Sequence, residues 1–196
     1  IDDVLAVRRT VFSSQRDGTM AVEGLGSNEL NDRNRQGARL QALFTPYDDL
    51  SIRLIADYSE IDETCCGVLV TQDIYTVAGG APGSDAILGA LGGTVYHGDN
   101  KDDFETSLNF LPESNSRDRG LSIETSWDLD SNYSLNFITG YRKFNSSSIV
   151  DADFTNVDLL ATGNEVESTT FSQEIRLDYI GDDLNFVVGA YYFQQD

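Results

Sequence analysis

Leu50 to Ser59 reads LSIRLIADYS, and this stretch decides the fold. Leu50, Ile52, Leu54, Ala56 and Tyr58 fall on one side of an extended strand. Ser51, Arg53, Ile55, Asp57 and Ser59 fall on the other, so the pattern has a period of two. The preceding run repeats it, with Ala38, Leu40, Ala42 and Phe44 set against Gly37, Arg39, Gln41 and Leu43. Between the two runs, Thr45 to Asp49 carries turn chemistry: Pro46 fixes φ, and the Asp side chains can bond nearby amides. The pair predicts a β-hairpin.

Working outward, the same alternation returns in Leu121 to Leu129, Tyr133 to Tyr141, Phe171 to Tyr179 and Leu184 to Tyr192, with Gln173 interrupting one apolar side. Leu5 to Ser14 is the least regular candidate. Seven strands are expected, at about 5–14, 35–45, 50–59, 120–129, 133–143, 169–180 and 184–193. Short turns (Pro46–Asp49, Asp130–Asn132, Gly181–Asp183) alternate with a polar tract, Gln15 to Arg35, and two long loops, Glu60–Asp118 and Asn145–Glu167. A short helix over Ser84–Leu91, capped by Ser84, is expected inside the longest loop. Strands of about ten residues, joined alternately by short turns and long loops, match a membrane-spanning barrel, whose strands need ~9–11 residues.

The aromatic residues fall into two rows. Phe44, Trp127, Tyr133 and Tyr179 sit beside the short turns, and Tyr58, Tyr141, Phe171 and Tyr192 beside the long loops. Such rows flank the ~25 Å apolar band of outer-membrane barrels. A soluble sandwich has no reason to place outward aromatics in two rows, so ordinary core aromatics are the weaker alternative.

The totals narrow the field. A formal charge of −20 excludes a nucleic-acid partner, which needs a basic face. No apolar run reaches the length of a membrane helix, whereas alternating strands leave only a weak hydropathy signal. Starting inside a strand-like pattern without Met, the chain reads as a piece of a longer protein. Eleven acids against Lys101 and Arg117 in the first long loop, and five acids in the second, concentrate the charge at one end. Solvation or divalent cations shared with lipopolysaccharide account for this more simply than ligand selection.

No residue set calls for enzyme chemistry or a cofactor. His97 lacks triad spacing. Asp128, Asp130 and Asn132 mimic the start of a calcium loop, but Tyr133 and Thr139 stand where Gly and Glu are needed, so a hairpin turn is expected and no metal. The glycine pairs near Gly79 and Gly92 lack the ending of a phosphate loop. Cys65 and Cys66 are adjacent, and across a trans peptide their Cα atoms would stand about 3.8 Å apart, below the usual disulfide window. A mutual bridge would therefore be strained, bridges to cysteines outside this stretch stay open, and a loop-stabilising or redox-inert role is expected. On the polar side of the strands, Arg53, Asp57, Glu124, Arg142, Glu174 and Arg176 are the candidate contacts, joined by Asp128 and Asp178.

The segment from Leu30 to Gly67, LNDRNRQGARLQALFTPYDDLSIRLIADYSEIDETCCG, resembles the barrel of bacterial TonB-dependent outer-membrane receptors. So do VFSSQRDGTM, ITGYRKFNSSSIVDADFT and FSQEIRLDYIGDDLNFVVGAYYF; the likeness weakens from Val68 to Leu111. The resemblance implies an all-β, antiparallel, up-and-down transmembrane barrel of 22 strands with long extracellular loops. Residues 1–196 would form one partial barrel domain, supplying roughly the third to the ninth strand. It further implies active uptake of a large nutrient across the outer membrane: a ferric siderophore, another metal chelate or an oligosaccharide. Expected partners are a plug domain and a TonB-contacting segment outside this stretch, outer-membrane lipid with lipopolysaccharide, and the nutrient. A passive porin and a soluble β-sandwich remain the competing readings.

Overall fold

The computed structural model describes residues 4–69, 88–93 and 104–196. Ser84 as a helix cap, the glycines near Gly79, and His97 lie outside the described residues. One helical turn is present at 88–90, with Leu91 N donating to Leu88 O at 2.9 Å.

Seven long strands form one antiparallel sheet: β1 (Leu5–Arg16), β4 (Arg33–Tyr47), β5 (Leu50–Glu63), β7 (Glu113–Asp128), β8 (Tyr133–Asp151), β9 (Ala161–Ile180) and β10 (Asn185–Gln195). Their spatial order, β1-β4-β5-β7-β8-β9-β10, follows the chain, giving an up-and-down meander with β1 and β10 as open edges. All seven expected strands are present. The turns form as their residues dictate: the Asp130 carboxylate accepts from the amides of Asn132 and Tyr133, each at 2.8 Å.

Two expectations are corrected. The strands run well past their apolar parts, so Glu60–Glu63, Glu113–Asp118, Asn145–Asp151 and Ala161–Glu167 belong to the sheet rather than to loops. These ends are mostly polar, with only scattered apolar residues such as Ile61, Ile149 and Val166, and so leave no sustained period-two signal; the ladder itself holds them, for example Ser147 opposite Glu165 and Asn115 opposite Ser147. β4 also continues through Pro46 to Tyr47, because the register shifts between Phe44 and Tyr47 and a bulge tolerates the missing amide.

The polar tract after β1 is not a plain loop either. Within it, β2 (Met20–Val22) and β3 (Gly26–Leu30) pair with each other, and β2 pairs in parallel with β6 (Glu105–Thr106). Met20, Val22, Leu30 and Leu108 make the buried core of this small sheet, with Leu69, Leu111 and Phe154 packed against it. The three long connections therefore fold together into a cap at one end of the large sheet.

Asn31, in the left-handed region at φ 62°, ties cap to sheet: its amide donates to Thr64 O and its side chain brackets Gly67. Beside it, Cys65 and Cys66 are bonded to each other; their peptide is cis and their Cα atoms are 2.9 Å apart, not at the trans separation assumed from the sequence.

Candidate functional site

Residues directly opposite one another in an antiparallel ladder share a face, so the register sorts every side chain. One row runs Val7–Ala42–Leu54–Ile123–Thr139–Gln173–Tyr192. That face is largely apolar across all seven strands, with Thr125, Thr139 and Gln173 within it and Arg9 at the level of Leu40, Leu121 and Tyr141. Leu54, Leu121, Ile123, Ile175 and Val188 on it are 36 to 57% exposed, and the buried core lies elsewhere, in the cap. The aromatic rows lie on this face: Tyr133, Tyr179 and Phe186 stack at centroid distances of 4.6 and 5.1 Å by the short turns. Phe171 meets Tyr192 at 6.2 Å toward the cap. Gln173, the interruption, is satisfied in the sheet: Thr139 Oγ1 donates to its Oε1 at 2.7 Å, and its Nε2 donates to Ile138 O and Glu174 O.

The opposite face holds all six candidate contacts, but in three separate clusters. Arg53 Nη1 donates to Glu124 Oε2 at 3.3 Å. Arg142 bridges two strands, donating to Asp118 Oδ1 at 2.6 Å and to both oxygens of Asp57 at 3.2 and 3.1 Å. Arg176 sits between Glu174 (3.5 Å) and Asp178 (3.2 Å), and Asn136 Nδ2 completes Asp178 at 2.7 Å. Asp128 lies on the same face at the turn end, opposite Ser134.

The Arg142 bridge depends on Gly120. Asp57 and Arg142 stand on either side of this residue in register. A Cβ there would sit 2.8 Å from Arg142 Nη2 and 3.2 Å from Asp57 Oδ1. Asp118 and Gly120 carried no sequence signal as site residues, since their roles follow from register alone. Pairs this exposed contribute at most about 1 kcal/mol each, so the clusters chiefly fix side-chain positions and cancel charge.

At the cap end two carboxylates are nearly buried. Glu63 accepts from Arg35 Nε at 2.6 Å and Nη2 at 2.9 Å, and this pairing holds its pKa below the ordinary 4.5. Asp151, 1% exposed, accepts from the backbone amides of Asn109, Asp153 and Phe154, stapling the cap to β8. Burial pushes its pKa above the ordinary 3.8, with Asp153 adding to the effect. Lys143 pairs with Glu167 and lowers that carboxylate's pKa. No cluster of His, Cys, Asp and Glu among the described residues is arranged to hold a metal ion.

The sheet can thus present a wet, charge-balanced face to a polar interior and an apolar face to a nonpolar medium. No protein-family model, curated protein or solved structure matches the chain.

Proposed function

We propose that the chain is a stretch of wall from a transmembrane barrel of the TonB-dependent receptor type, which binds a large nutrient and imports it across the outer membrane. The observation that carries this is the apolar face, continuous over seven strands, edged by aromatics and covered by nothing among the described residues. Exposed apolar area costs ~25 cal/mol per Å², and contiguous patches beyond a few hundred Å² mark membrane or protein contacts. The depth fits lipid. Tyr133 to Tyr141 is eight steps of roughly 3.3 Å, which at a tilt of about 40° spans about 20 Å, near the ~25 Å apolar band.

The charged face then lines the interior, and the cap lies at the outer mouth, where long loops belong. Uptake by such a wall involves selective binding without covalent chemistry. The quoted sequence resemblance supports the receptor reading over a passive pore. The test is partition of the full-length protein: it should fractionate with outer membranes, and residues 1–196 alone should aggregate in buffer and disperse in detergent. A monodisperse, cooperatively folded monomer of residues 1–196 in plain buffer contradicts the proposal.

A further inference from the structure

In this strongly acidic chain, β1 and β4 carry six arginines and no acid: Arg8, Arg9, Arg16, Arg33, Arg35 and Arg39. Arg9 lies on the apolar face, opposite Leu40. On the polar face, Arg35 is neutralised by Glu63, whose charge also acts on Arg33, and Arg16 donates to Asn31 O at 2.7 Å. Arg8 and Arg39 are different. Among the described residues no carboxylate bonds to either of them.

The reason at Arg39 is geometric. Its partner in register is Asp57, one strand over. Both oxygens of Asp57 are taken from the far side by Arg142, across the open space left by Gly120. Arg39 turns back along its own strand instead, where the Gln41 amide oxygen, in its satisfied orientation, accepts from Nε and Nη2 at 3.3 Å. β4 has neighbours on both sides, β1 and β5, so Arg39's surroundings within the sheet are complete. Arg8 stands opposite Gln41 and Thr10 opposite Arg39, which sets the two guanidiniums diagonally around one spot. Beyond Thr10, the Phe12 ring lies against Gly37, where a Cβ would come 2.5 Å from its Cε1, and the residue stays 51% exposed.

We infer that this patch binds a carboxylate-bearing small molecule on the barrel's interior wall, an assignment that rests on the transmembrane reading above. A planar guanidinium fork matches the two oxygens of a carboxylate. A second cation, an amide and a hydroxyl complete the shell, and the flat exposed ring accommodates a planar group beside it. The neighbouring polar-face arginines are already engaged or balanced: Glu63 holds Arg35 and faces the charge of Arg33, and Arg16 donates to Asn31 O.

Citrate is the probe, titrated calorimetrically at low salt into the full-length protein in detergent. Citrate binds the unmodified protein; Arg39→Gln weakens it by about tenfold or more, the loss expected for a charged hydrogen bond. Arg39→Lys, which keeps charge but not the fork, falls between, and Arg9→Gln, which removes the same charge from the opposite face, leaves affinity unchanged. Equal citrate affinity in the unmodified and Arg39→Gln proteins overturns the site. Tighter binding of inorganic phosphate than of citrate overturns the carboxylate assignment. Failure of the unmodified protein to bind citrate, with a lower Tm in Arg39→Gln, means that a carboxylate of the protein itself occupies Arg39, and likewise overturns it. Any of these in a protein that still fractionates with the outer membrane removes the site and leaves the barrel reading standing.

Discussion

Tyr141 stands directly opposite Phe171 across β8 and β9, and at this pair the apolar face ends. On the turn side lie Leu135, Phe137, Leu177 and Ile175; on the cap side of the same face lie Lys143, Asn145, Thr169 and Glu167. On β7 the change falls at the same level, where Leu121 gives way to Arg119, and on β5 it falls one step further toward the cap, where Tyr58, opposite Arg119, gives way to Glu60. A boundary shared by adjacent strands is what the proposed membrane setting requires, and no single strand's packing requires it.

The first prediction sets the two faces against each other. Leu54 lies between Ala42 and Ile123 on the apolar face, and Arg53 reaches Glu124 on the other. In the full-length protein, Leu54→Arg should cost about 2–4 kcal/mol and reduce assembly into the outer membrane. Arg53→Leu should cost under about 1 kcal/mol, because the pair it breaks is solvent-exposed. Assembly yield and denaturant midpoints in lipid vesicles measure both. Equal, mild effects would mean that the faces are assigned the wrong way.

A second prediction concerns the space at Gly120. Gly120→Val should separate Arg142 from Asp57 while leaving Arg142 on Asp118. The stability loss should be about 1 kcal/mol or less, and a double-mutant cycle between Asp57→Asn and Arg142→Gln should show coupling only in the Gly120 background. Coupling that survives in Gly120→Val would show that the side chains do not need that gap.

The strands were legible in the sequence because period-two alternation marks them: Leu121, Ile123, Thr125 and Trp127 report a face without help from any neighbour. Their extensions were not. Ser146, Ser147 and Ser148 say nothing about a face, and only pairing with β7 and β9 keeps them extended. The cap escaped for a different reason. Its strands are two to five residues long, and β2 finds its parallel partner 84 positions onward, so no local pattern could reveal it. Parity alone placed the six candidate contacts on one face, but which acid each arginine takes depends on diagonal reach over Gly120 and on register. That Arg39 turns to the Gln41 amide rather than to a carboxylate follows from that same competition for Asp57.

A third prediction is a pair of opposite pH responses in the cap. Glu63 has a folded pKa below its ordinary 4.5, so its contribution is complete above that value and is lost as pH falls through the folded pKa. Asp151 has a folded pKa above its ordinary 3.8, so its contribution is complete below that value and is lost as pH rises through the folded pKa. Amide protection in the cap, followed from pH 6 down to about pH 3, should lose its acid-induced decrease in Glu63→Gln. In Asp151→Asn the decrease should steepen, since the opposing term is gone. Identical profiles in both variants would remove these carboxylates from the cap's stability.

The central claim is that the sheet crosses a membrane with its short turns on the inner side and its cap outside. Epitope insertion in the full-length protein, read by antibody on intact and permeabilised cells, tests it most directly. An epitope at Asp158, in the connection between β8 and β9, should be labelled on intact cells. One at Ser131, in the turn between β7 and β8, should be labelled only after the outer membrane is permeabilised. Labelling of Ser131 and not Asp158 on intact cells would invert the sheet, and equal labelling of a protein recovered in the soluble fraction would contradict the membrane account altogether.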